Sequence, residues 1–216
     1  TGIAVIASAR ATTLVGNRIG LALDGSPLPN VSGILVQSDP NGVPDGVQIG
    51  GRGPGDANEI AFHETRGVSI GFSALGVHLE QNSIHDNGAL GIDLFGWGGF
   101  GVTPSDALDL DGEGGNHLQN FPELLGAVRV GRGSLVRGEL GSEPDRRYRI
   151  DFYASPTLDT SGFGEGQRFL GSAAVTTDAA GRAAFGAQPD GIAPAGWFVS
   201  ATATDESLIV SKNKYQ

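Results

Sequence analysis

Acidic side chains crowd one short segment near the middle of the chain, and carboxylate oxygens are the ligands that hard cations such as calcium prefer. Four of them share eight residues with a glycine: Asp106, Asp109, Asp111 and Glu113. The Asp-x-Asp-Gly spacing presents alternate oxygens on one side of a loop and predicts a calcium site. The segment lacks the full spacing and the distal glutamate of an EF-hand loop. A solvated acidic linker is the alternative.

Aromatic residues lie close together just before this acidic segment. Phe95, Trp97 and Phe100 are separated mainly by glycines. Ring faces offer apolar area at little polar cost, so a loop that exposes them could stack against sugar rings. The same rings could instead fold back and cover the end of the preceding structure. The three residues are therefore candidates for carbohydrate binding.

A third set of residues has the side-chain types that hydrolyse glycosides. Glu80, Asp86 and Asp93, together with His78 and His85, could share one neighbourhood, and a pair of carboxylates is what a glycosidase requires. Solvated side chains on one face are the simpler interpretation. The spacing of the histidines fits no zinc pattern. Because no coherent catalytic set emerges, we expect a protein that is not an enzyme.

A repeat in the first half of the chain must position these residues. Between residues 67 and 94, three short runs alternate apolar residues with small or polar ones, and Gly or Asn opens each run, at 67–70, 76–79 and 82–84. Alternation with a period of two predicts strands with one buried face. Gly and Asn tolerate the backbone conformations of the corners between such strands.

Copies of this pattern begin at Gly2, Gly33 and Gly67, and a weaker fourth copy begins at Gly91 and is expected to end at 116–118. A period of about two dozen residues is in the range of solenoid repeats. Three strands per period without a helix predict a right-handed parallel β-helix, in which equivalent side chains form columns. We expect two aliphatic columns and one asparagine ladder: Ile3, Ile34, Val68 and Ile92; Ile19, Ile60, Ile84 and Leu118; Asn17, Asn58, Asn82 and Asn116.

Parts of the chain resemble the parallel β-helix repeats of large secreted bacterial surface proteins. The resemblance rests on residues 49–60 and 82–94, on the junction at 112–125, and on the part that follows. It implies an adhesin-like protein of the pectate-lyase-like superfamily, secreted or at the cell surface. That superfamily also includes polysaccharide lyases and hydrolases, and such lyases place a basic residue among acidic calcium ligands. Arg66 is the nearest basic residue here and lacks that context.

The overall charge narrows the possible partners. A net charge of −10 and a pI near 4.7 argue against nucleic acid, which binds basic surfaces. They also disfavour anionic polysaccharides unless a cation bridges them. The sequence contains no cysteine and no run of about 18 apolar residues, so it predicts no disulfide and no membrane insertion. It also lacks methionine, and we expect a processed product or a fragment.

The second half of the chain has the pattern of an antiparallel β protein. Alternating segments separated by turn clusters predict strands at 123–130, 134–140, 147–154, 168–176, 183–188, 197–204 and 208–212. Seven strands in about 95 residues are typical of an immunoglobulin-like β-sandwich. We therefore expect an all-β protein, with a parallel β-helix of three to four coils over residues 1–120. A sandwich over residues 121–216 would close the end of that helix.

These features predict an extracellular structural or adhesive module. The first predicted strand starts almost at residue 1, and open solenoid ends need a cap. We expect this end to contact another copy of the chain, in an end-to-end assembly, or a neighbouring segment, and glycans are further candidate partners. The alternatives are a carbohydrate-active β-helix enzyme, either a lyase or a glycoside hydrolase, and a passive glycan-binding module.

Overall fold

The computed structural model describes residues 1–110, 112–131, 133–159 and 161–206, which form an all-β protein. The predicted strand at 208–212 lies outside the described residues. Two regions follow each other along the chain. Residues 3–95 contain short parallel strands, which we call the stack, and residues 123–206 contain longer antiparallel strands, which we call the two-sheet region.

Three parallel sheets make up the stack. Each of the first three copies of the repeat contributes one strand to each sheet, and the fourth copy adds a strand to the first sheet. The first sheet has the order β1 (Ile3–Ile6), β4 (Ile34–Gln37), β7 (Val68–Gly71) and β10 (Ile92–Phe95). The second consists of β2 (Thr13–Leu14), β5 (Gln48–Gly50) and β8 (His78–Glu80), and the third of β3 (Arg18–Ile19), β6 (Glu59–Ala61) and β9 (Ser83–His85).

Aliphatic columns run through the interior of the stack. The strand register pairs Ile3 with Ile34, Ile34 with Val68, and Val68 with Ile92. Ile60 is aligned in the same way with its two neighbours in the third sheet. Both columns were predicted from the repeat, and their middle members are completely buried. Each buried aliphatic side chain contributes about 1.5–3 kcal/mol, so the columns supply much of the stability of the stack.

An asparagine ladder follows one corner of the stack, as the sequence predicts for its first three members. The peptide N–H and Nδ2 of Asn58 donate to Oδ1 of Asn82 at 3.1 and 2.8 Å. Asn17 donates to Oδ1 of Asn58 in the same way, at 3.0 and 2.9 Å. Nδ2 of Asn58 also reaches the carbonyl oxygen of Leu14 at 2.8 Å. The ladder therefore satisfies backbone groups that the corner leaves unpaired.

The fourth copy departs from the prediction at Asn116. Its side chain bonds to the N–H and C=O of Val77, at 3.0 and 2.7 Å, and does not extend the ladder from Asn82. The position beside Ile84 in the third sheet is occupied by Gly166 of the two-sheet region, through two reciprocal backbone hydrogen bonds of 2.9 Å. A segment distant in sequence thus takes the place predicted for Leu118.

The two-sheet region consists of two antiparallel sheets around a second core. One sheet has the order β11 (Glu123–Val130), β12 (Gly133–Gly141), β15 (Arg182–Ala187), and the other has the order β14 (Arg168–Thr176), β13 (Arg147–Ser155), β16 (Phe198–Asp205). Six of the predicted strands are present within two residues of their expected bounds. The core includes Tyr148, Ile150 and Phe152, which lie on one face of β13.

The other face of β13 packs against the stack. Alternation of apolar and charged residues predicts that one face of this strand is buried and that the charged face is exposed. In the structure the charged face is buried as well: Arg149 is 5% and Asp151 1% exposed. Nη1 of Arg149 contacts Oε1 of Glu80 at 2.5 Å, while Nε and Nη2 bind the two oxygens of Asp151 at 2.9 and 2.8 Å. Burial alone would raise the pKa of Glu80, but the hydrogen bond and charge of Arg149, with those of Arg52, outweigh it and lower that pKa.

Replacement of Asn58 by alanine should destabilise the stack strongly. Asn58→Ala removes the acceptor of Asn17 and the donor to Leu14, and leaves these groups without partners in a buried corner. We expect the free energy of unfolding in urea to fall by about 2–4 kcal/mol. Asn41→Ala is the control, because Asn41 is exposed, and it should cost about 0.5 kcal/mol or less. Equal losses for the two variants would contradict a structural role of the ladder.

Candidate functional site

A cluster of four aromatic rings lies where β10 ends. Phe95, the last residue of β10, is only 2% exposed and is the anchor of the cluster. Its ring covers Gly71, the partner of Phe95 in β7, and a Cβ atom at that position would come within 2.3 Å of the ring. Glycine is therefore needed at position 71 for the ring to lie flat on the sheet.

The other three rings extend from this anchor toward the solvent. The centroid of Phe72 lies 5.1 Å from that of Phe95 at an interplanar angle of 90°, and 5.8 Å from that of Trp97 at 76°. Phe100 lies 4.5 Å from Phe95 at 44°. Edge-to-face and tilted arrangements are those that aromatic pairs prefer. Trp97 is 83%, Phe100 58% and Phe72 38% exposed, so the cluster presents three rings at the surface.

An ion pair beneath the cluster fixes the loop that carries these rings. Nε of Arg66 donates to Oδ2 of Asp93 at 2.5 Å, and the guanidinium carbon of Arg66 lies 3.6 Å from the centre of the Phe100 ring. A cation over an aromatic face is attracted by the ring quadrupole. The N–H of Gly101 donates to both oxygens of Asp93, at 3.2 and 3.1 Å. The loop is therefore tied to β10 immediately after its last ring.

Asp93 is 1% exposed, and its burial has an electrostatic consequence. Burial raises the pKa of the Asp93 carboxyl above its ordinary value, and the hydrogen bond from Gly101 and the charge of Arg66 offset that effect only in part. Arg66 and Gly101 thus hold the carboxyl in place, although burial disfavours its charged form.

A depression of about 570 Å³ adjoins the exposed rings. The residues that border it include Trp97, Phe100, Val102, Pro104, Leu110 and Glu113. Glu113 is exposed and provides carboxylate oxygens, which accept hydrogen bonds from hydroxyl groups. Among the described residues, the depression combines aromatic and aliphatic surface with one acidic side chain, that of Glu113.

The predicted calcium ligands are only partly described. Oδ2 of Asp106 accepts the N–H of Leu110 at 3.1 Å. Asp109 accepts the N–H of Asn120 at 3.0 Å and the hydroxyl of Ser142 at 2.6 Å. Asp111 lies outside the described residues. Among the residues that are described, no group of three or more His, Cys, Asp or Glu side chains is arranged to hold a metal ion. Calcium binding by this segment stays a prediction.

The three carboxylates considered for glycosidase chemistry each have a basic partner of their own. Glu80 contacts Arg149 and Arg52, at 2.5 and 3.2 Å. Oδ2 of Asp86 lies 2.7 Å from Nδ1 of His85, and Asp93 pairs with Arg66. Among the described residues, the basic partners of the three carboxylates differ: Arg149 and Arg52 for Glu80, His85 for Asp86, and Arg66 for Asp93.

No protein family and no curated protein matches the chain. In the described parts of the chain, no helix has the length and apolar character needed to cross a bilayer. The candidate function therefore rests on the geometry of the aromatic cluster.

Sequence reasoning brought together Phe95, Trp97 and Phe100 but missed two further members of the site. Phe72 belongs to the third copy of the repeat and Arg66 lies just before that copy, so the two residues flank β7. The repeat contained a usable signal, because the register that aligns Gly71 with Phe95 also places Phe72 directly beside the cluster. No comparable signal pointed to the stacking of Arg66 on Phe100.

Two substitutions should change the pH dependence of stability in opposite directions. Because the pKa of Asp93 is raised, its contribution to stability is fully present below the ordinary value of 3.8 and is lost as the pH rises through the raised pKa. Asp93→Asn should therefore gain stability relative to the unaltered chain as the pH rises. The pKa of Glu80 is lowered, so its contribution is present above 4.5 and is lost as the pH falls. Glu80→Gln should gain relative stability as the pH falls.

Urea unfolding midpoints of the three proteins between about pH 3 and about pH 7 would measure this difference. Each variant serves as the control for the other, since both remove one buried carboxyl. The prediction would be contradicted if plots of the unfolding midpoint against pH ran parallel for the two variants and the unaltered chain.

Proposed function

We propose that the chain is a rigid, non-catalytic adhesive module that binds neutral saccharides through the aromatic cluster. In this proposal residues 1–120 are a right-handed parallel β-helix and residues 121–216 an immunoglobulin-like sandwich, displayed outside a bacterial cell. The parallel register of the stack and the two antiparallel sheets support this assignment. The resemblance of the repeat to those of bacterial surface proteins supports the location.

The observation that carries the proposal is the exposure of rings that are held in fixed positions. Trp97 is 83% exposed although its ring contacts Phe72, and Phe100 is 58% exposed although it contacts both Phe95 and Arg66. Large exposed apolar surfaces on a soluble domain usually mark a binding site. Rings that are already positioned lose little conformational entropy on binding.

The charges around the cluster favour neutral ligands. Arg66 is already paired with Asp93, so it offers little attraction to an anionic sugar. Glu113 and the net charge of −10 would repel uronic acids. The carboxylate of Glu113 can instead accept hydrogen bonds from sugar hydroxyls at the border of the depression.

Oligosaccharide binding should change the fluorescence of Trp97 and depend on the exposed rings. A Trp197→Phe background leaves Trp97 as the only tryptophan. Titration with neutral oligosaccharides of the cellulose, xylan and mannan types should give a saturable change in emission. Phe100→Ala should weaken binding by about tenfold or more. Phe198→Ala is the matched control, because Phe198 is 45% exposed and lies on β16.

Two outcomes would count against saccharide binding at the cluster. One is the absence of a saturable change with any of these oligosaccharides. The other is an equal loss of affinity in Phe100→Ala and Phe198→Ala. Release of reducing ends from these neutral oligosaccharides, or of unsaturated products from uronic polysaccharides, would favour the enzymatic alternative over an adhesive module.

A second function, self-association, is favoured by the free edge of the first copy. β1, β2 and β3 are terminal strands of their sheets, and within the described part of the chain each has a neighbouring strand on one side only. Ile3 and Leu14 are only partly buried, whereas the residues that follow them in the columns, Ile34 and Ile49, are fully buried. Apolar side chains are also exposed over residues 1–31: Ile6, Val15, Leu23, Leu28 and Val31.

We propose that a second copy of the chain covers this edge. Strand edges pair most readily with other strands, and a second copy supplies the same three edges. Among the described residues, the two-sheet region pairs with Ile84 and contacts Glu80 at the opposite end of the stack, so the edge of the first copy is the less covered of the two ends. Contact between two identical ends is isologous and closes after two copies. The expected product is a dimer and not a filament.

Sedimentation velocity over a wide concentration range should show a monomer–dimer equilibrium. The N–H of Ile3 donates to the carbonyl oxygen of Gly33 in the second copy. Because successive N–H groups of a strand point to opposite sides, the N–H of Ala4 points to the free edge. Ala4→Pro removes that donor and should abolish the dimer, while Ala4→Thr keeps it and should dimerise like the unaltered chain. A monomer at all concentrations, or a dimer unaffected by Ala4→Pro, would contradict this interface.

A further inference from the structure

A cavity of about 540 Å³ lies between the last copy of the repeat and the two-sheet region. It adjoins the depression beside the aromatic cluster and shares Gly101, Val102, Thr103 and Leu118 with it, but none of the four aromatic rings borders the cavity. Ligand binding here does not depend on the proposed saccharide binding or self-association. Cavities of about 300–1,000 Å³ are typical of small-molecule sites, which occur preferentially between domains.

The stack forms an aliphatic wall of this cavity. Leu79, Ile92 and Leu94 border it and are only partly buried. The residues before them in the same columns, Ile49, Val68 and Ile70, are completely buried. The columns therefore end in the cavity with part of their apolar surface uncovered.

The opposite wall is rich in hydroxyl groups. Tyr153, Ser200 and Thr202 border the cavity, and the register of β13 with β16 places Tyr153 beside Ser200. Burial raises the pKa of the Tyr153 hydroxyl, and the charge of Asp151 adds to that effect. This hydroxyl stays protonated and has Thr202 and the backbone of Gln81 as hydrogen-bond partners, while Oγ of Ser200 donates to the carbonyl oxygen of Glu165 at 2.8 Å. Each hydroxyl oxygen has two lone pairs, so the wall can also accept hydrogen bonds from a ligand.

The charges at the cavity exclude one class of ligand. Among the described residues that border it, Glu123, Glu165 and Asp205 are acidic, and none is arginine or lysine. Burial raises the pKa of Glu165, with hydrogen bonds from Asn87 acting in the opposite direction. An anionic group would meet like charges without a cationic partner.

Contacts at the border of the cavity hold its two walls together. Gly166 bonds to Ile84 through two backbone hydrogen bonds, and Oε1 of Glu165 accepts Nδ2 of Asn87 at 2.8 Å. These residues belong to the two regions that the cavity separates. The space is thus part of the folded structure and largely preformed.

We propose that this cavity binds an uncharged small molecule that has an aliphatic face and a few hydrogen-bonding groups. The aliphatic face packs on Leu79, Ile92 and Leu94, and the polar groups meet the hydroxyls of Tyr153 and Thr202. Burial of the uncovered ends of the columns provides the driving force.

N-phenyl-1-naphthylamine, a neutral apolar fluorophore with one N–H, is a suitable probe. Its emission should rise saturably with one molecule bound per chain, and the anionic probe 8-anilinonaphthalene-1-sulfonate should bind at least about tenfold more weakly. The double variant Leu79→Trp, Ile92→Trp fills the aliphatic wall and should weaken binding of the neutral probe by about tenfold or more.

A matched control lies at the other end of the same two columns. Leu14 and Ile3 occupy the positions of Leu79 and Ile92 in the first copy. The double variant Leu14→Trp, Ile3→Trp should leave binding of the probe unchanged, and so should Trp97→Ala, which alters the aromatic cluster. Loss of binding in either control would overturn the assignment to the cavity.

Methyl NMR of the unaltered chain provides a measurement that does not depend on the folding of a variant. Addition of the neutral probe should shift the methyl signals of Leu79, Ile92 and Leu94 and leave those of Ile3 and Leu14 in place. Shifts confined to Ile3 and Leu14, no saturable binding, or equal binding of the two probes would each overturn the proposal.

Discussion

A stack of parallel strands cannot end without exposing strand edges and the ends of its apolar columns, and most features of this protein follow from that constraint. At the C-terminal end, Gly166 supplies the backbone partner that Ile84 would otherwise lack. Arg149 and Glu165 supply polar partners to Glu80 and Asn87. The two-sheet region is therefore hydrogen-bonded to this end of the stack at its border, while the ends of the apolar columns between these contacts stay partly exposed. At the N-terminal end, β4 is the one strand that pairs with β1 among the residues that the structure describes.

The buried polar groups of the ladder and of the contact between the two regions enter the interior together with their partners. Asn58 is fully buried because four hydrogen bonds within the ladder and one to Leu14 satisfy it. Arg149 is buried on a face that would be charged surface in an isolated sheet, because Asp151 and Glu80 together neutralise it. Such groups add little net stability, and the loss of one partner is costly. They fix the position of one region on the other more than they strengthen the fold.

The sequence predicted those features that depend on local periodicity. The columns through Ile34 and Ile60 and the ladder through Asn58 follow from alternation and from corner residues, which neighbouring residues determine. The replacement of Leu118 by Gly166 could not be predicted, because pairing between distant segments leaves no periodic signal. At the aromatic cluster, the spacing of Phe95, Trp97 and Phe100 indicated the site. Arg66 was missed because a cation on a ring face requires three-dimensional information. Asp93 was expected in solvent and is buried, because the loop after β10 folds back over it.

The parallel register has a consequence for how the length of such a protein can evolve. Each copy adds one strand to each sheet, and adjacent strands lie about 4.8 Å apart. Duplication of a copy within the stack would therefore move the free edge at β1 away from the aromatic cluster by about that distance. The contacts of the third copy with the two-sheet region would stay as they are. The exception is Arg52, which lies in the second copy and contacts Glu80 and Glu206. Gene duplication could thus set the distance between the free edge and the aromatic cluster in regular steps without a change to either one.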